Sequence, residues 1–165
     1  MALLCDRPTS ALDCSIFRRI RDGSEPGHAA IHRRRAVSCL FVALWTEDID
    51  RLVRFYTEYF GASIGPKYAN SSKGFESRFL TFQDGARLEL MKTAVLRPME
   101  RNSGVNRMGL THLAFSLGSE NRVDELTATL REAGFGVKEG PRRTGDGYYE
   151  SVVIDPDGNR LKLTV

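Results

Sequence analysis

A regular pattern of apolar positions begins near residue 37 and then runs a second time in the same order. SCLFVALW is rich in β-branched and aromatic residues and predicts a strand. Ile49, Leu52, Val53, Tyr56 and Phe60 follow at helical spacing, with Asp48 placed to cap the helix start and Gly61 to take the left-handed position after its end. RFLTF and RLELM come next, joined across Asp84-Gly85. That pair is a hairpin signal, because glycine accepts the positive φ of a tight turn. Residues 92–108 are polar and loop-like. In the second run THLAFSL predicts a strand, and Val123, Leu126, Thr127, Leu130 and Ala133 predict a helix ending at Gly134. YYESVVI and NRLKLTV predict two strands around Asp155-Pro156-Asp157-Gly158, where proline presets φ and glycine supplies the permissive position. The helices are expected near 48–60 and 121–133.

The register of this repeat can be tested. FVALW aligns with HLAFS at an offset of 71 residues, and DGARLEL aligns with DGNRLKL at an offset of 73. Offsets this close imply duplication of a strand–helix–strands unit, an α+β arrangement with modules at about 37–92 and 109–165. Each module has one helix and sequence for about four short strands. One helix covers one sheet face. The other face must meet its copy, another chain or a ligand.

Side-chain alternation says what that other face carries. Val42 and Leu44 oppose Phe41, Ala43 and Trp45; Leu88 and Leu90 oppose Arg87 and Glu89. Leu113 and Phe115 oppose His112, Ala114 and Ser116; Leu161 and Leu163 oppose Arg160 and Lys162. The aliphatic sides belong under the helices. The opposite sides bring together Phe41, Trp45, Arg87, Glu89, His112, Ser116, Arg160 and Lys162, the makings of a concave pocket of mixed polarity.

Composition narrows the function classes. A chain of 165 residues with 41% hydrophobic and 27% charged content fits one soluble globular domain, and excludes collagen-like repeats, wholesale disorder and a membrane bundle. The net charge of +3 is carried by residues 1–36, which hold seven Arg and four acids, leaving 17 basic and 17 acidic residues in 37–165. A neutral body offers no electrostatic footprint for nucleic acid, and no stretch approaches the roughly 20 apolar residues of a membrane span. Residues 1–36 show no sustained period and are expected to be a disordered or weakly attached tail, with Arg33, Arg34 and Arg35 a solvated charge run. Cys5, Cys14 and Cys39 are an odd set without a CxxC spacing, which argues against a disulfide framework and for a reducing compartment. With no apolar segment of signal-peptide length, the expected location is cytoplasmic.

The stretch from VALWTEDIDRLVRFYTEYFGA through LELM and THLAFS to GDGYYESVVIDPDGNRLKLTV resembles the vicinal oxygen chelate superfamily, which includes glyoxalase I, fosfomycin-resistance proteins, extradiol dioxygenases and bleomycin-resistance proteins. FY…YFG after the first strand and DPDGN before the last carry the likeness together, over about residues 37–165. The resemblance implies two βαβββ modules forming an open, cup-like sheet, commonly in a homodimer. Its metal enzymes hold a divalent ion with a His, Glu, His, Glu set on the first and last strands of each module. The matching positions here are Phe41, Glu89, His112 and Lys162. Phe41 has no donor and Lys162 is cationic at neutral pH, so Glu89 and His112 would be the remnant of a metal set. No cofactor is therefore expected, the alternative being a zinc, nickel or manganese ion.

Three functions follow from the resemblance. The first is a small-molecule binder with a degenerate metal site. The second is a metal-dependent lyase, isomerase or thiol transferase of the glyoxalase I type. The third is a structural homodimer without an active pocket. Trp45, His112, Tyr148 and Lys162 are the candidate ligand-binding residues, and Glu89 and Glu150 the candidate catalytic carboxylates. Lys162 is expected to stand in the vacated metal position and pair with Glu89, which would otherwise be left without a counter-charge. The RRTGDG stretch reads as a connecting loop or a lid.

Overall fold

The computed structural model describes residues 38–97 and 108–165; the N-terminal tail and residues 98–107 of the connection between the copies lie outside the described residues. The first module runs β1 (Phe41–Trp45), α1 (Ile49–Phe60), β2 (Ser63–Asn70), one turn of 3-10 helix (Ser71–Lys73), β3 (Phe75–Thr81) and β4 (Arg87–Thr93). The second runs β5 (Leu113–Ser116), α2 (Glu120–Glu132), β6 (Val137–Arg143), β7 (Tyr149–Ile154) and β8 (Arg160–Thr164). Each module is a four-stranded mixed sheet, ordered β1-β4-β3-β2 and β5-β8-β7-β6. The first and last strands of each module pair in parallel and the rest antiparallel. The fold is thus α+β, two βαβββ units of one design.

Both helices begin at side-chain caps. The Asp48 carboxylate accepts from the Arg51 N–H at 2.9 Å, and the Ser119 hydroxyl accepts from Arg122 N–H at 3.4 Å. The Ser119 cap starts α2 one residue earlier than the apolar spacing alone suggests. Gly61 closes α1 at φ 65°, a conformation that costs other residues energy. On the helix side of the first sheet, Ile49, Leu52, Val53 and Tyr56 bury Leu44, Leu80, Leu88 and Leu90. In the second module Val123, Thr127 and Leu130 cover Val153, Leu161 and Leu163. The one polar pair in this buried layer is satisfied internally: Thr127 and Ser151 hydroxyls lie 2.6 Å apart, and Thr127 also donates to the Val123 carbonyl.

The modules meet through α1. Phe55, outside the helical stripe read from the sequence, is buried with its ring 4.9 Å from Phe135 of the second module. Phe60 meets the Phe115 ring at a tilt and Phe82 meets it edge-on, with centroids 4.8 and 5.1 Å apart. The Tyr56 hydroxyl donates to the buried Asp155 carboxylate at 3.0 Å, and Arg51 forms an ion pair with Asp157 in the same turn. Asp155 also accepts from Asp157 N–H, Asn159 N–H and the Asn159 side-chain amide, each within 2.9 Å. Burial raises the Tyr56 hydroxyl pKa far above its ordinary value, with the Asp155 charge adding to the shift. Burial likewise lifts Asp155 above the usual carboxylate range, against hydrogen bonds that pull it down.

The outer strands were not legible in the apolar pattern. β2 and β6 lie at sheet edges, are largely exposed, and carry Gly65-Pro66 and Gly140-Pro141. Their pairing is interrupted by register shifts, between Ile64 and Lys67 in β2 and on both sides of Glu139 in β6. An edge strand tolerates proline because one side of it needs no donor.

Candidate functional site

The faces opposite the helices are open and unlike each other. In the first module the strand register sets Ala43 beside Glu89 and Glu89 beside Phe79, one row across the sheet. The next row holds Trp45, Met91, Ser77 and Tyr68, and Phe41 sits opposite Arg87. Aromatic rings dominate this surface. Phe41 meets Phe79 edge-on at 5.4 Å, and Trp45 and Tyr68 approach Phe75 at 6.2 and 6.1 Å. Phe41, Trp45 and Tyr68 remain 44%, 51% and 56% exposed. The Arg87 guanidinium stands over the Phe79 ring, 4.4 Å from its centre.

The open face of the second module is charged. Ala114 pairs with Lys162, Lys162 with Val152, and Glu150 lies between Arg142 and Thr164. The Lys162 Nζ is 2.7 Å from the Glu150 carboxylate, and the Arg142 guanidinium is 3.7 Å from it. Arg142 also holds Glu139, whose carboxyl is drawn below its ordinary range by that hydrogen bond. Glu150 is only 5% exposed. A carboxylate buried to that degree needs its two cations, and the result is a fixed ion-pair network flanked by the small Ala114 and Ser116.

This corrects one expectation. Lys162 does not pair with Glu89; its ammonium is held by Glu150 on the neighbouring strand of its own module. The physical reason is local. β7 and β8 are hydrogen-bonded neighbours, so Glu150 is a near neighbour on the same face, whereas Glu89 belongs to the other sheet. Glu89 is half-buried and has no ion-pair partner within 4.0 Å among the described residues.

The other residues singled out from the sequence are placed as follows. Trp45 lies on the open aromatic face. His112 is half-buried immediately before β5. Tyr148 is exposed before β7, and its backbone closes a hairpin with Thr144, whose N–H donates to the Tyr148 carbonyl at 2.8 Å. Of RRTGDG, Arg142 and Arg143 thus end β6 and the remaining TGDG makes the β6–β7 connection. Arg142, Phe75 and Phe79 were missed. The alternation in FESRF, with Phe75 and Phe79 four apart, was the signal for the two rings. Arg142 had none, because it lies next to a proline in an irregular edge strand.

A divalent ion at the four positions named by the resemblance does not fit these donors. Phe41 offers none, the Lys162 amine is committed to Glu150, and Glu89 and His112 are left as two. Among the described residues no three His, Cys, Asp or Glu side chains gather closely enough to hold a metal ion.

Comparison with known proteins agrees with this architecture. The family model described as Glyoxalase/Bleomycin resistance protein/Dioxygenase superfamily matches residues 38–163. An uncharacterized Bacillus subtilis protein, YqjT, is 38% identical over 60 residues, 34% of this chain and 47% of that one. A glyoxylase/bleomycin resistance protein/dioxygenase domain from Frankia sp. superposes with a TM-score of 0.67 at 20% identity, over 79% of this chain and 98% of the other. Glyoxalase I from Zea mays superposes with a TM-score of 0.60 at 23% identity, over 77% of this chain and 44% of the enzyme. The chain thus spans less than half the length of YqjT and of the maize enzyme.

Proposed function

This chain belongs to the Glyoxalase/Bleomycin resistance protein/Dioxygenase superfamily, and from that premise we propose that it binds a small organic molecule on the open faces of its sheets without a metal ion at the family position. The observation that carries this reading is the Lys162–Glu150 ion pair. A committed cation at the position the resemblance matches to a metal ligand supports the reading, because like charge beside a divalent ion opposes its binding. The aromatic face of the first module supplies what an organic ligand needs: apolar area, ring edges and faces, and few polar groups. The reading includes a homodimer, because Phe41, Trp45 and Tyr68 leave an apolar surface that a second copy would cover in part. Light scattering at micromolar concentration should give twice the 18.5 kDa chain mass.

The test is metal titration by calorimetry. The purified protein should show no stoichiometric zinc or nickel binding, while Phe41→His with Lys162→Glu, which restores the four donors, should bind at least tenfold more tightly. Stoichiometric tight binding by the unmodified protein would put a glyoxalase I-type lyase or isomerase reading first, with Glu89 and His112 as ligands.

A further inference from the structure

We infer that the ligand of the open face is a small organic cation, an ammonium group attached to a flat apolar body, with Glu89 as its counter-ion. This names the ligand class within the binding reading above and rests on it. Glu89 is the only carboxylate among the residues that the strand register sets on the first module's open face. It is half-buried, and neither an ion pair nor a hydrogen bond satisfies it among the described residues. A half-buried carboxylate with no partner among the described residues keeps its acceptor oxygens available to a donor from outside the chain.

The nearby cations are accounted for. Arg87, two residues away on the same face, stands over the Phe79 ring, and Lys162 is held by Glu150. What faces Glu89 is instead small and aromatic. Its register partner on β1 is Ala43, flanked at two residues on either side by Phe41 and Trp45, and its partner on β3 is Phe79. With about 3.3 Å of rise per residue, each ring stands roughly 6.5 Å along the strand from Ala43. The short side chain makes a notch between two aromatic walls, with the carboxylate at its side. Aromatic faces and a carboxylate with no cation of its own chain beside it both favour a cation over an anion. A polar cation such as a metal aquo ion would gain nothing from Phe41 and Trp45; an organic ammonium gains from both.

Trp45 is the sole tryptophan of the chain and stands at this notch, so its emission reports occupancy. The experiment titrates the full-length protein with benzyltrimethylammonium and, in parallel, with benzoate, following Trp45 fluorescence. The cation should quench or shift the emission saturably and bind at least tenfold more tightly than benzoate. Glu89→Gln, which keeps the shape and removes the charge, should weaken the cation at least tenfold while leaving its thermal midpoint unchanged or higher. Phe41→Ala is the second variant and should weaken the cation severalfold. Equal or tighter binding of benzoate, or cation binding indifferent to Glu89→Gln, overturns the inference and leaves the metal-free binding reading standing. No response to either probe also overturns the inference; the binding reading falls with it only where the calorimetry above finds a stoichiometric metal.

Discussion

The Tyr56 hydroxyl and the Asp155 carboxylate meet at 3.0 Å across the junction of the two modules. Tyr56 belongs to the FY…YFG segment and Asp155 to DPDGN, the two stretches that carried the family resemblance. Their pairing explains why both matter. The tyrosine ring packs in the core under α1 while its hydroxyl reaches the other module, and the aspartate organises the turn that receives it through three further hydrogen bonds.

Tyr56→Phe should therefore destabilise the fold by about 1–2 kcal/mol at neutral pH, the usual cost of leaving a buried acceptor short of a donor. The pH dependence has a definite sign. Burial raises Asp155 above its unfolded value, so its contribution favours folding below the ordinary Asp pKa of about 3.9 and is lost as pH rises through the raised value. The Tyr56 hydrogen bond opposes that loss by stabilising the ionised form. Denaturant titrations should show the cost of Tyr56→Phe shrinking as pH falls through the raised Asp155 value, where the folded carboxylate takes up its proton.

Lys162→Met should leave Glu150 buried with only Arg142, at 3.7 Å, to compensate it. A loss of about 1–2 kcal/mol is expected, less than for a fully buried pair because Lys162 is partly exposed and Arg142 can close in. Adding Glu150→Gln should restore part of that stability. A double-mutant cycle by chemical denaturation measures the coupling; additive losses would mean that the pair contributes nothing as a pair.

Gly61→Ala isolates a backbone effect. A Cβ at this position meets no atom within 4 Å, so crowding cannot contribute. The φ of 65° remains, and the expected loss is about 1 kcal/mol. Thermal unfolding of the variant reads it directly.

The sequence made legible what depends on chain-local period. The helices lie within one residue of the expected spans because the apolar stripes fix them, with the Asp48 cap for α1; the Ser119 cap, unread in the sequence, accounts for the one-residue difference at the start of α2. The open-face assignments of Trp45, Glu89 and Lys162 follow from alternation, which the observed register reproduces. Partners across strands were harder. Lys162 and Glu150 are neighbours because β7 and β8 pair with Glu150 opposite Thr164, a registration that neither segment encodes alone. Phe55 was missed because it answers to Phe135 of the other module and not to its own sheet. β2 and β6 were missed because exposed edge strands have no face to bury, hence no alternation to read.

Those edge strands also set a direction for association. Gly65-Pro66 and Gly140-Pro141, with the bulges beside them, spoil the outward edges of β2 and β6 as templates for another strand. The opposite edges, β1 and β5, contain no proline. Strand addition is thus disfavoured at β2 and β6. A ribbon running continuously from copy to copy would need both edges of a sheet, and the proline and register shift on one of them oppose it at every copy.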